Sequence, residues 1–292
     1  MLQSSFFLLI HLLRKEDGVD MKVDLHLHST ASDGSFSPKQ IVQLAIMKKM
    51  RAIALTDHDT IDGLLEAKCE AEKWGLEFVM GIEFSTYWKN HEVHILGYFL
   101  NLEDTRFVQA IENLKFLREE RNKKIIQLLQ NYDIILNMTS LQEKYPNQSI
   151  GRVHIAKEMI EQGRVKDMKE AFSKYLAQGG LAYVEKEGLT PHMAVQLLKE
   201  NSAFSSLAHP KFISKDENEI LQLIQELKNI GLNAIEANYA GFKSYEIRKY
   251  RSWAKTFDLL VTGGSDFHGS NRKNIEIGMQ GLDYSQFNKF RR

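Results

Sequence analysis

The chain has 292 residues, of which 43% are hydrophobic, with 38 basic against 38 acidic side chains. That is enough apolar material for one large core, and the balanced charge excludes a protein that recruits long duplex nucleic acid or an anionic membrane through its overall field. No run reaches the ~20 apolar residues of a membrane helix, and the single Cys69 excludes an intrachain disulfide.

Taken in chain order, the first twenty residues contain the apolar stretch Phe6–Leu13, too short to span a bilayer and followed by no small-residue cleavage site. Met21 directly precedes the first strand, so residues 1–20 are expected to be a dispensable N-terminal extension. Apolar spacing then alternates between periods of two and 3.6. It predicts strands near 22–28, 51–56, 77–84 and 92–100, with helices near 38–49 and 60–74. Ser37-Pro38 and Thr60 with Asp62 supply the helix starts. Cys69 falls in the second helix and is expected to be an inert buried thiol, consistent with a reducing cytoplasm.

Residues 103–180 contain no convincing strand. A long helix is predicted from about Thr105 to Asn131, with shorter ones near 139–145, 152–162 and 167–178. Strands return near 203–208, 232–237 and 259–263, with helices from Thr190-Pro191 and near 216–230 and 243–257. The pattern is β/α with seven strands and an all-helical insertion. The expected organisation is barrel over 21–102 and 181–292, with 103–180 capping its mouth.

The chemistry-bearing residues cluster where strands end. His26 and His28, at i and i+2 on a strand, face one way together with Asp24, and Val23, Leu25 and Leu27 face the other. Asp33, His58, Glu83, His94, His209, Asp266 and His268 follow, most of them just after short apolar runs. In a β/α barrel such positions form the C-terminal rim, where side chains from many strands converge. Taken singly, each is better read as a capped loop or a satisfied core histidine. Nine imidazoles and carboxylates at successive strand ends are better read as a metal centre.

These motifs identify a resemblance. His26-Leu-His28, Ser32-Asp33-Gly34, Thr56-Asp-His58-Asp-Thr60, Gly81-Ile-Glu83, His94, Ala208-His209-Pro210 and Ser265-Asp266-Phe-His268 occur in the order found in the PHP (polymerase and histidinol phosphatase) family of metallo-phosphoesterases. The resemblance covers residues 22–100 and 181–280 and implies a distorted seven-stranded (β/α)7 barrel. It also implies three divalent ions, of manganese, iron or zinc. The first would be held by His26, His28, Glu83 and Asp266, the second by Asp33, His58 and His268, and the third by bridging Glu83 with His94 and His209. Asp57 and Asp59 are then expected to orient His58 or nearby waters. His11, His91 and His192 match no motif and are read as surface or packing residues.

Gly151-Arg152-Val-His154 resembles a motif of the family branch containing nucleoside 3′,5′-bisphosphate phosphatases and 5′-3′ exoribonucleases. It implies that Arg152 grips a phosphate through its planar fork and that His154 binds phosphate or protonates the leaving oxygen. Three divalent ions against three carboxylates leave a site that wants anions, which favours phosphoesters over amides. The expected reaction is attack on phosphorus by a hydroxide bridging two ions. The expected substrates are a nucleotide such as a nucleoside bisphosphate or AMP, or a short 5′-phosphorylated RNA, with no obligate protein partner. Phe172, Tyr175 and Tyr183 are candidate stacking faces for a base, although aromatics at helical spacing more often build a core.

Three rival readings differ in particular residues. An amidohydrolase barrel usually bridges its metals with a modified lysine, and no strand-end lysine is evident. A non-catalytic structural or regulatory PHP module predicts lost ligands. A histidinol-phosphate phosphatase is disfavoured by Asp33 and by the Gly151–Ala156 motif.

Overall fold

The computed structural model describes residues 22–146, 148–185 and 187–290. The predicted extension at 1–20 and His11 lie outside them. Among the described residues, the first half of the barrel contains β1 (Lys22–Asp24), α1 (Pro38–Met47), β2 (Ala52–Leu55), α2 (Leu64–Trp74), β3 (Glu77–Trp88) and β4 (His91–Tyr98). Helices α3 (Thr105–Gln130), α4 (Met138–Lys144), α5 (Arg152–Glu161) and α6 (Met168–Ala171) follow. The chain then returns through α7 (Pro191–Glu200), β5 (Phe204–Leu207), α8 (Glu217–Ile230), β6 (Ala234–Tyr239), α9 (Ser244–Thr256), β7 (Leu260–Gly264), β8 (Leu282–Asp283) and α10 (Tyr284–Phe287).

Helix boundaries follow local chemistry. Ser37 and Gln40 exchange side-chain to backbone hydrogen bonds in a capping box, with Pro38 in the first turn. Gly75 ends α2 in the left-handed conformation, and Asp104 and Thr190 cap α3 and α7. Cys69 is exposed, because Ala67, Glu70 and Ala71 form the inward face of α2; the expected buried thiol is corrected. None of the described helices is long and apolar enough to cross a membrane.

The sheet has eight strands rather than seven, in the order β7-β6-β5-β4-β3-β2-β1-β8. The added β8 is two residues long and runs antiparallel to β1. Strands β1, β2 and β3 are parallel, as are β5, β6 and β7, but β4 is antiparallel to both its neighbours. Only Lys89 and Asn90 separate β3 from β4, too few residues for a crossover helix. This reversal matters for the site, because it is the beginning of β4 that lies at the rim and delivers His94. Strand β3 pairs with β2 only as far as Met80 and continues past the end of β2, which carries Glu83 to the same level.

The barrel closes where residues 25–28 meet 263–267. Leu25 N–H donates to Gly263 O at 3.2 Å, Asp266 N–H to His26 O at 2.8 Å and His28 N–H to Phe267 O at 3.0 Å. Regular strand structure in β1 therefore stops at Asp24, yet His26 and His28 still face the same way, as expected, with both Nε2 atoms turned to Glu83 Oε2. Asp24 leaves the two histidines and accepts N–H groups from His26, Ser265 and Gly278.

The apolar residues form separate bodies. Ile41, Ile53, Leu55, Phe84, Ile95, Leu198 and Leu223 belong to a large cluster between sheet and helices. Val23, Ala54, Leu96, Leu282 and Phe287 form a second cluster, with Phe290 stacked on Phe204 at the end opposite the rim. The helical segment has its own core, including Ile125, Leu129, Leu141, Ile155, Met159 and Leu176. Helix α3 joins the two bodies: Phe107, Ile111 and Leu114 pack on the barrel, and Ile125, Ile126 and Leu129 on the helical segment. Tyr175 is buried in that second core and offers no stacking face.

Candidate metal centre

All nine sequence-predicted metal-binding residues converge at the rim, around Glu83. The Glu83 carboxylate is 1% exposed; its Oε1 lies 2.9 Å from His94 Nδ1 and 3.1 Å from His209 Nε2. Its Oε2 lies 3.1 Å from Nε2 of both His26 and His28 and 3.3 Å from His58 Nδ1. Asp266 Oδ1 is 3.4 Å from His26 Nε2, 3.2 Å from His28 Nε2 and 3.3 Å from His268 Nδ1. Asp33 Oδ1 is 3.2 Å from His268 Nε2.

Three donor groups can be drawn, each with ligand atoms within 4.8 Å of one another: His26, His28, Glu83 and Asp266; His28, Asp33, His58 and His268; and His58, Glu83 and His94. His28 and His58 each face two groups, whereas the resemblance implies one ion for each. His209 stands outside the three groups and approaches Glu83 alone.

Whether this arrangement fits cations is answered by its buried nitrogens. His26 Nε2 and both ring nitrogens of His28 are buried and have no hydrogen-bond partner, although carboxylate oxygens lie 3.1–3.4 Å from both Nε2 atoms. Donors at right angles around an ion, each ~2.1 Å from it, stand ~3 Å apart without bonding one another. Orphaned imidazoles among carboxylates are costly in a dry interior unless a cation collects them. The donor set is that of a divalent-metal centre.

Electrostatics point the same way. Burial opposes ionisation of Asp33, Glu83 and Asp266, but the surrounding imidazoles outweigh it and hold all three well below the usual carboxylate range. Burial likewise opposes charge on His28 and His94, yet the carboxylates around them push each up to about 10. For His58, burial wins and takes it down to about 3. The three carboxylates thus demand positive charge, which protons supply when ions do not.

The rim is held by backbone and outer side chains. The Asp33 loop turns on Gly34, where a Cβ would lie 2.5 Å from His28 O. At Gly264 a Cβ would lie 2.4 Å from the Cβ of His26. Asp57, expected to orient His58 or a nearby water, accepts Ser29 N–H at 2.8 Å, Ser29 Oγ–H at 2.7 Å and Ser32 Oγ–H at 2.6 Å, stapling the Asp33 loop. Asp59 accepts Ser85 N–H at 2.9 Å and pairs with Arg118 of α3. Asp59, His209 and Asp266 have φ of 52°, 23° and 55°, a region that L side chains occupy only when their surroundings enforce it.

Several supporting residues escaped the sequence reading. Glu236 of β6 is fully buried; its Oε1 lies 2.9 Å from His26 Nδ1, and its Oε2 accepts the N–H of strained His209 at 2.9 Å. A carboxylate can only accept, so His26 carries a proton on Nδ1, which leaves Nε2, on the side of Glu83 and Asp266, as the nitrogen that would bind an ion. His268 Nδ1 donates to Asp266 O at 2.9 Å and is oriented in the same manner. Tyr239 O–H donates to Asp266 Oδ2 at 2.8 Å, and Arg272 pairs with the same oxygen. The one available signal was a charged residue, Glu236, in a run otherwise suited to a buried strand.

Arg152 and His154 part company. Arg152 lines a cavity of about 190 Å³ with Asp33, His58, His94, Arg118 and Phe172, and its Nη2 lies 3.4 Å from Glu92. His154 does not line that cavity, contrary to the reading that paired it with Arg152. Its Nδ1 accepts Gly151 N–H at 3.1 Å, its Nε2 donates to Gln148 Oε1 at 3.2 Å, and burial takes it down to about 4. Residues two apart on a helix point in nearly opposite directions, so both side chains of this motif cannot enter one cavity. His91 and His192 pair with Glu219 and Glu226 near the surface, away from the site.

A barrel mouth ringed by imidazoles and carboxylates defines a metal-dependent enzyme. The chain belongs to the PHP domain family, whose model matches residues 24–233. It is 32% identical to a 5′-3′ exoribonuclease of Haemophilus influenzae, over 85% of this chain and 90% of that one. To a 3′,5′-nucleoside bisphosphate phosphatase of Chromobacterium violaceum it is 29% identical, over 88% and 90%. Among solved structures, a protein from Bifidobacterium adolescentis described as a metal-dependent phosphoesterase superposes with a TM-score of 0.81 at 24% identity, covering 92% of this chain and 94% of that one, which shows the shared fold.

Proposed function

We propose that this protein is a metal-dependent hydrolase of nucleotide phosphoesters. Its substrate would be a nucleoside bisphosphate or AMP-like mononucleotide, or the 5′ end of a short phosphorylated RNA. The observation that carries the reading is Glu83, whose two oxygens face different sets of imidazoles and so can be shared between ions. In this assignment His26, His28, Asp33, His58, Glu83, His94, His209, Asp266 and His268 hold three divalent ions, of manganese, iron or zinc. Such ions make hydroxide available near neutral pH and stabilise charge on phosphoryl oxygens. The names of the two curated relatives support the substrate class.

The residues of the chain divide the remaining work. Glu236 and the Asp266 carbonyl fix which nitrogen of His26 and His268 is free to bind. Helices of the 103–180 insertion form the cap, and from it Arg152 reaches the cavity, where it would exchange its long contact with Glu92 for a phosphate held through two parallel hydrogen bonds. His154 is assigned to shaping the start of α5 and takes no part in proton transfer.

The test is phosphate release from adenosine 3′,5′-bisphosphate, AMP, histidinol phosphate and a short 5′-phosphorylated RNA, with manganese and with chelator. Turnover of at least one nucleotide that chelator abolishes is expected. Equal inactivity on all four at full metal occupancy would overturn the proposal, and preference for histidinol phosphate would move it to the rival phosphatase reading.

A further inference from the structure

Asp266 divides its two oxygens between different kinds of partner. Oδ1 faces imidazoles, 3.4 Å from His26 Nε2 and 3.2 Å from His28 Nε2. Oδ2 accepts Tyr239 O–H at 2.8 Å and pairs with Arg272. Arg272 spans the two: its Nη1 reaches Oδ2 and its Nη2 donates to Tyr239 Oη. A guanidinium offers no acceptor and a carboxylate no donor, so the direction of every hydrogen bond in this ring is fixed, and all of them converge on Oδ2.

The chain brings Arg272 back over a residue only six positions earlier. It does so through the short turn Gly269–Asn271, after which Arg272 N–H donates to Gly269 O at 3.3 Å. Tyr239 is held by its ring, whose centroid lies 4.8 Å from that of Phe242 and 5.4 Å from that of His209. Among the described residues Asp266 is the one carboxylate within ion-pair distance of Arg272. A guanidinium stays charged at any relevant pH, so its fork is committed to Asp266.

We propose that Arg272, together with Tyr239, is a positioning residue of the metal centre that makes Asp266 a one-oxygen ligand. The inference rests on the metal-centre reading and concerns how that centre is kept open, not what it cleaves. A carboxylate with both oxygens free can chelate an ion and fill two coordination positions, whereas one whose Oδ2 holds two donors, one of them charged, offers Oδ1 alone. The ion shared by His26, His28, Glu83 and Asp266 then keeps a position that a chelating Asp266 would occupy. An open position is what separates a catalytic metal site from a closed structural one. The positive charge of Arg272 also offsets the negative charge of Asp266, so the ion retains more of its own charge toward an incoming oxygen.

The experiment reconstitutes metal-free wild type, Arg272→Met, Arg272→Lys and Tyr239→Phe with cobalt(II), counts bound ions by mass spectrometry and reads the visible absorption per bound cobalt, which weakens as coordination number rises. Arg272→Met is expected to bind as many ions as wild type and to absorb less per ion, because Asp266 closes on its ion with both oxygens. Tyr239→Phe shifts the same way by less, and Arg272→Lys, which keeps a charged donor, stays nearest to wild type. On a nucleotide that wild type turns over, kcat falls about 10- to 100-fold in Arg272→Met with KM nearly unchanged.

Absorption unchanged from wild type in a folded Arg272→Met variant with full cobalt overturns the inference, whatever its activity. Loss of cobalt from that variant overturns it too, because the guanidinium would then serve ion binding itself. If Arg272→Met does not fold, Tyr239→Phe, which keeps the packed ring and removes one hydroxyl, decides in the same two ways. If wild type takes up no cobalt, the metal-centre reading fails and the inference with it; if wild type binds cobalt but hydrolyses no nucleotide, only the hydrolase reading fails, and the absorption still decides.

Discussion

The rim of the barrel and the helical segment above it are built on different principles. At the rim, donors from six separate stretches of chain are locked by strand pairing, by glycine positions that admit no Cβ, and by carboxylates such as Asp57 and Glu236 behind them. The helical segment has a core of its own and meets the rim through polar contacts: Arg118 with Asp59, Lys115 with Asp62, Lys157 with Asn271, and Ser149 N–H with Ala31 O at 3.1 Å. The comparison teaches a separation of tasks. In the proposed reading, ion binding depends on the buried rim, whereas substrate grip is assigned to Arg152 of the second body, so the two are expected to be separable by substitution.

Breaking the rim at its centre is expected to have the largest effect. Glu83→Gln removes the carboxylate shared between donor groups; metal content by mass spectrometry should fall, and kcat/KM should drop by at least about a thousandfold. Full metal content with near-normal activity would end the argument that Glu83 organises the centre. One shell outward, Glu236→Gln keeps an acceptor for His26 but sets an amide N–H₂ against the His209 N–H or the reverse. Metal affinity should weaken about 10- to 100-fold, with partial recovery in Glu236→Asp, measured by competition against a chromogenic chelator.

Crossing to the second body, Arg152→Ala should lower kcat/KM on nucleotides about 10- to 100-fold while leaving bound metal unchanged. Loss of metal in that variant would show that the two bodies are not separable. The smallest effect concerns pH. In the ion-free protein His28 and His94, pushed to about 10, are protonated at neutral pH, so ions must displace protons to bind. Metal affinity should therefore rise with pH between 6 and 8, by up to about tenfold per unit for each proton displaced. The sign for stability is opposite: a raised histidine pKa stabilises the ion-free fold fully below ~6.5, and the contribution fades as pH rises toward about 10. A flat affinity profile would contradict the proton-for-ion exchange.

Legibility differed between the two bodies for a physical reason. The rim ligands were readable because few residue types bind metals, and strand ends announce themselves through short apolar runs followed by His, Asp or Glu. The antiparallel turn of β4 was less readable, although the two-residue Lys89-Asn90 link left no room for a helix. His154 was misplaced because a motif was read as a unit when helical geometry splits it. Glu236 carried only the signal of a charge within a run suited to a buried strand, and it matters because it touches His26, 210 positions away.

By itself, then, the order of residues determined the β/α alternation, the helical interruption and the identities of the metal donors, since these depend on periodicity and side-chain chemistry over short spans. Only the tertiary structure decided which nitrogen each imidazole presents, which carboxylates stand behind them, and which side chain of the Gly151–His154 motif reaches the cavity. Those are properties of distance between remote segments, and distance is set by how strands close a barrel and helices pack upon it.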